Sequence, residues 1–341
     1  MSSNLLTNFK INFFKRALIT SVSCLSAIAL GTATTAQNSS SPKIVTTFLP
    51  VHLFTQAVVG DIGEVEILIS PGTEVHDYQA TPNNARILAQ ADVLVENGLG
   101  IEEFLAGLVA NAGNSQLQQI TSSEGIEVLE GEEHEEEGHE DHGHKEEEHD
   151  EHGHKEEGHD EHGHEEESGH HHEGGNPHVW LDPLLAQQQV ATIRDGLIAI
   201  DPTNADSYST NAEAYIQQLQ QLDSEFLQKL APVQGCNFIT FHDAFPYLAK
   251  RYGLEQEAII EIPEDSITPK DLQRVQQAAQ QYQVKALFTE PGIEDKRIQQ
   301  ISSDLNLPLE EIDPLESGET DPQYYFQVMR NNLAALEKGC K

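Results

Sequence analysis

The 341-residue chain carries 57 Asp and Glu against 19 Lys and Arg, a formal charge of −38. That length allows one large or two ordinary domains, and that charge excludes a nucleic-acid partner, because phosphate binding needs clustered Lys and Arg. The acid is concentrated: residues 130–173 hold 21 acids, 2 Lys and 13 of the 17 His, a net −19 and half the total.

The N-terminus reads as an export signal spanning residues 1–36. Lys10, Lys15 and Arg16 precede an apolar stretch at 17–31, and TATTAQ offers a small-residue cleavage site near Ala36. About 15 apolar residues are short for a membrane span. Cys24 sits inside the apolar stretch with Ser21 where a lipoprotein signal prefers a large aliphatic residue. A soluble periplasmic protein is therefore expected. In that oxidising compartment the two remaining cysteines, Cys236 and Cys340, read as a disulfide, with two buried thiols as the alternative.

Residues 43–60 begin as a β-rich run and continue at helical spacing, and EVEILIS follows as a second strand ended by the turn PGTEVHDYQ. TPNNARILAQA opens a helix at Thr81-Pro82, ADVLVENG is a third strand, and IEEFLAGLVANAG is an amphipathic helix. IEVLE is then expected as a short strand. Between 130 and 175 a ten-residue phrase is repeated three times, HEDHGHKEEE, HDEHGHKEEG and HDEHGHEEES, with no periodic apolar residue. Such a segment cannot bury a core and reads as disordered.

NPHVWLDP leads into a further helix, in which Asp182 is the expected cap, and residues 203–231 form an unusually long helical pattern. Its Tyr208, Ala212, Tyr215, Leu219, Leu222 and Phe226 recur at three- and four-residue steps. Strands NFITF, AIIEI, KALFTE and LPLEEID then alternate with helices to the C-terminus. The expected fold is α/β: two βα lobes with parallel sheets, at 43–200 and 235–341, joined by the long helix at 203–231. Ligands of such folds bind at the carboxyl ends of strands.

Four histidines lie outside the repeat. His76 follows the second strand, His178 precedes a helix, and His242 closes NFITF. Three imidazoles with a carboxylate or a water make a zinc site. His52 is expected to pack or line the rim.

The motifs PGTEVHDY, NPHVWLDP, FHDAFPYLAKRYGL and FTEPG, in that order, resemble the metal-binding proteins of ABC uptake transporters, of the zinc-specific ZnuA type. The likeness runs from about residue 43 to the C-terminus. It implies two lobes bridged by a rigid backbone helix, with one Zn2+ held between them by His76 and His178 from the first and His242 from the second. Manganese-binding relatives carry Glu at the third position, and imidazole suits zinc where manganese prefers oxygen. Asp313, on the loop after the last strand, stands where relatives have a ligating Asp; a water is the alternative fourth ligand. Where some zinc members place a Glu, this chain has Val75. Glu290, Tyr78 and Asp243 are expected in supporting roles.

The resemblance implies a monomer that delivers zinc to a membrane permease with its ATPase. The repeat, with His139, His142, His144, His149, His152, His154, His159, His162 and His164, then reads as a weaker zinc collector or buffer, because ordering a flexible chain around metal costs entropy. A zinc buffer or adhesin without transport is an alternative function. So is a zinc hydrolase, although no HExxH and no placed base are present.

Overall fold

The computed structural model describes residues 41–129, 175–260, 269–293 and 296–341. The export signal, the His-rich segment and its accessory histidines therefore lie outside the described residues.

The first sheet is parallel, in the order β2 (Val65–Ile67), β1 (Ile44–Thr46), β3 (Val93–Glu96), β4 (Gln118–Thr121). The second repeats that order: β6 (Glu255–Ile260), β5 (Asn237–His242), β7 (Ala286–Thr289), β8 (Leu309–Glu311). In both, the chain reverses direction across the sheet between the two central strands, where α/β sheets bind ligands beyond the strand ends.

Helices α1 (Leu49–Val59), α2 (Pro82–Leu88), α3 (Leu105–Ala112) and α4 (Pro183–Ile200) accompany the first sheet. Three of these starts have a local cause. Pro50 sits in the first turn of α1, Thr81 and Asn84 form a reciprocal capping box at α2, and Asp182 accepts from Leu184 N (2.8 Å) at α4. Helices α6 (Pro246–Tyr252), α7 (Pro269–Gln281) and α8 (Lys296–Leu305) accompany the second sheet.

The 26-residue α5 (Ala205–Leu230) runs between them, about 39 Å long at 1.5 Å per residue. It buries Tyr208, Ala212, Tyr215, Leu219, Leu222, Phe226 and Leu230, one face at three- and four-residue steps. That face packs against α1, α4, α6 and the C-terminal α9 (Gln323–Gly339). One hydrophobic core consequently runs through both lobes, from Phe54 and Leu94 through Phe226 to Phe238 and Phe288. Cys236, before β5, and Cys340, after α9, form a disulfide with Cα atoms 5.7 Å apart, tying the chain's end to the second sheet.

One strand lies elsewhere than expected. Residues 126–129 of IEVLE form no strand; the fourth strand is the polar QQIT of β4. At the sheet edge β4 buries only Ile120, so its sequence carries little apolar alternation. Ile126 instead packs with Val179 and Tyr247 in a small separate cluster.

Candidate metal site

Four loops bring four donors together. His76 lies on the loop after β2, where Glu74 Oε1 accepts from the backbone N of both Val75 (3.1 Å) and His76 (3.2 Å). Val75, 1% exposed, anchors this turn in the core, which explains why a hydrophobic residue precedes the histidine. His178 stands before the single helical turn Val179–Leu181. Asn176 Oδ1 accepts from His178 N (3.1 Å) and from the ring Nδ1 (3.0 Å), which turns Nε2 toward the other donors. The Asn176 amide is itself oriented, because its Nδ2 donates to Asp243 O (2.7 Å) and Oδ2 (3.1 Å) in the other lobe.

His242 is the last residue of β5, and Glu290 directly follows β7, the adjacent strand. Glu290 Oε1 accepts from His242 N (3.2 Å) and Nδ1 (2.6 Å), again turning Nε2 toward the cleft. The fourth donor is Glu316, on the loop after β8.

The three Nε2 atoms stand 3.8, 3.9 and 3.9 Å from Glu316 Oε1, for His76, His178 and His242 respectively. One ligand atom from each of the four residues lies within 4.8 Å of all the others. A tetrahedral zinc with bonds of about 2.0–2.2 Å places its donors roughly 3.4 Å apart. The Glu316 oxygen therefore needs to approach each imidazole by about half an ångström to become part of such a shell.

Burial alone would lower the pKa of His242, but the charge and hydrogen bond of Glu290, with Glu316 and Glu74, hold it up at about 9. Burial alone would raise Glu316, yet His76 and His242 hold it below the usual carboxylate range. The four groups are thus already electrostatically matched, with a carboxylate amid imidazoles.

Of the expected ligands, the structure brings His76, His178 and His242 together and leaves Asp313 aside. The carboxylate in the group is Glu316, three residues further along the same loop. Asp313 Oδ1 accepts from Leu315 N (2.7 Å) within its own loop, and burial pushes its pKa up to about 6. Sequence reading singles out Asp313 and passes over Glu316: EEIDPLE holds both acids, but which one enters the cleft depends on a backbone turn between them.

The supporting residues divide by contact. Glu290 and Asp243 reach the histidines directly or through Asn176, whereas Tyr78 OH donates to Asn84 Oδ1 (3.0 Å) near the start of α2. His52 lies on α1, 5% exposed, beside Thr46 Oγ1 at 3.3 Å. Burial lowers its pKa to about 4, so it is a neutral packing residue.

Residues 44–339 match the family model described as ZnuA, zinc-uptake complex component A, periplasmic. The chain is 32% identical over 299 residues to the high-affinity zinc uptake system protein ZnuA of Bacillus subtilis (strain 168), covering 86% of each. It is 32% identical over 301 residues to the zinc-binding lipoprotein AdcA of Streptococcus pneumoniae (strain ATCC BAA-255 / R6), covering 87% of this chain. Only 55% of that relative is matched, so the chain spans about half the length of the streptococcal AdcA proteins it matches. The solved structure of Zn(II)-bound AdcA from Streptococcus pneumoniae superposes with a TM-score of 0.68 at 28% identity, covering 88% of this chain and 57% of that one.

Proposed function

The chain belongs to the ZnuA family of periplasmic zinc-uptake components, and on that footing we propose that it captures Zn2+ outside the cytoplasmic membrane for delivery to the permease of an ABC transporter with its ATPase. The observation that carries this reading is the convergence of three imidazoles and one carboxylate from both lobes. Such a donor set suits zinc, whereas manganese and magnesium prefer oxygen-rich shells. His76, His178, His242 and Glu316 are the proposed ligands.

Four protein donors fill a tetrahedral shell and leave no position for a reactive water, which favours carriage over hydrolysis. The cleft is also tied across the lobes. Trp180 Nε1 donates to Pro314 O (2.8 Å) and Tyr325 OH to Trp180 O (2.8 Å), which supports capture by small adjustments of loops rather than by wide closure.

The His-rich segment acts in this reading as a weaker collector. Its base supports that role: Asn176 N donates to Leu129 O (3.0 Å), and Tyr247 OH joins Leu129 N to Asn176 O. Leu129 and Asn176, which flank the segment, thus meet beside His178, the residue that Asn176 orients. In this reading cleavage near Ala36 releases a soluble periplasmic protein, which acts as a monomer.

Uptake of radioactive zinc by cells or vesicles containing the cognate permease tests the proposal. Uptake at nanomolar zinc should require the protein and fail with His242→Ala. Uptake indifferent to the protein, with tight zinc binding retained, would point to a buffer or adhesin.

A further inference from the structure

The loop that presents Glu316 holds a leucine in an unusual backbone conformation. Leu315 is fully buried at φ 68°, in the left-handed region that bulky side chains avoid. Such residues persist only where their surroundings over-determine them. Here they do, from both lobes. Asp313 Oδ1 accepts from Leu315 N (2.7 Å), while Asn332, buried on α9, accepts from Asp313 N (2.9 Å) and donates to Asp313 O (2.8 Å). From the first lobe, Trp180 Nε1 donates to Pro314 O (2.8 Å) and Gly72 N donates to Glu316 O (3.0 Å). Trp180 is two residues beyond His178, and Gly72 four before His76.

Each bond in this set constrains the backbone on one side of the Glu316 side chain. A right-handed residue at 315 would redirect the Cα–Cβ bond of Glu316 and take its carboxylate off the three imidazoles. A glycine would accept the angle freely, but it would lose the buried side chain that seats the turn. The carboxylate of Asp313 closes the turn from within, and it lies outside the group of four donors.

We propose that Asp313 is a positioning residue for metal capture: its carboxylate holds Leu315 left-handed, and so aims one oxygen of Glu316 at His76, His178 and His242 without touching the metal. This rests on the reading of the cleft as the zinc site, with Glu316 a ligand.

The test compares Asp313→Asn, Asp313→Ala and Glu316→Gln in the full mature chain. Zinc affinity is read by chelator competition, followed through fluorescence of Trp180. It is the chain's single tryptophan, and its ring lies 5.0 Å from that of His178, so it reports the cleft. Asn keeps an oxygen acceptor for Leu315 N, so D313N should bind within about threefold of wild type, whereas D313A, lacking it, should lose about 10–100-fold, as supporting residues of metal sites do. With one equivalent of Co2+, D313N should keep the intense visible absorption of four-coordinate cobalt and D313A should lose intensity. A D313N protein as weak as E316Q would make Asp313 a ligand through its charge and overturn the proposal. So would a D313A protein that binds like wild type. If D313A does not fold, the comparison of D313N with E316Q decides alone. An E316Q protein with wild-type affinity would overturn the cleft reading itself, a failure distinct from that of the clamp.

Discussion

Replacing Glu290 by Gln should change how zinc binding depends on pH more than how tight it is at neutral pH. Glu290 accepts from His242 Nδ1 at 2.6 Å and raises the affinity of that imidazole for a proton as well as for a metal. Supporting carboxylates of this kind strengthen metal binding by about 10–100-fold. The same carboxylate holds His242 near pKa 9, so at pH 7.5 only about one molecule in thirty has the neutral ring that zinc needs, a penalty of roughly 2 kcal/mol at 1.36 kcal/mol per unit. In E290Q the amide still accepts the hydrogen bond, but the charge is gone and the ring is neutral at pH 7.5. The gain and the penalty nearly cancel there, and the two proteins should bind within a few-fold of each other. At pH 9.5 the penalty is absent, and wild type should lead by about 10–100-fold.

The sign follows from competition. A raised pKa means that wild-type affinity climbs with pH up to about 9, while that of E290Q levels off near the ordinary histidine value, about 6.5. Calorimetry in two buffers of different ionisation enthalpy measures this directly, on protein lacking 131–174 so that repeat histidines do not contribute. Wild type should release about one proton per zinc at pH 7.5 and E290Q close to none. Equal proton release, or an affinity ratio unchanged from pH 7.5 to 9.5, would refute the assignment of Glu290 as the group that controls His242.

Three further outcomes are expected. Excision of residues 131–174 should leave the fold intact, because Leu129 and Asn176 already meet across its base at 3.0 Å; a circular dichroism melt that collapses on excision would contradict this. Serine at both Cys236 and Cys340 opens a link across 104 residues, worth up to about 4.7 kcal/mol of chain entropy, so the thermal midpoint should fall by roughly 10 °C. A fall of less than about 2 °C would mean that α9 is held by packing alone. Leu222→Ala, in the fully buried face of α5, should cost about 2–5 kcal/mol in urea unfolding, and a loss below about 1 kcal/mol would deny that the helix is the shared core of the two lobes.

Much of this architecture is written in local sequence. The face of α5 from Tyr208 to Phe226 is visible because one helix must bury one stripe, whatever it packs against. Asp182-Pro183 announces α4 because a cap and a fixed φ act on adjacent residues. His242 is legible as a strand-end residue for the same reason. What escapes local reading depends on distant partners. The edge strand β4 exists through its pairing with β3, not through its own QQIT pattern. The choice of Glu316 over Asp313 rests on a left-handed Leu315 and on Trp180, 134 residues away from its partner Pro314. No periodicity records such a bond.

The most direct test of the cleft as the functional site is a competitive zinc titration with stoichiometry by native mass spectrometry. It compares the chain lacking 131–174 with the same protein carrying His242→Ala or Glu316→Gln. Four donors within 4.8 Å of one another predict that the shortened chain keeps one tightly held zinc and that each substitution abolishes or sharply weakens it. Tight binding that disappears with residues 131–174, or that survives His242→Ala, would place the zinc in the repeat and contradict the account.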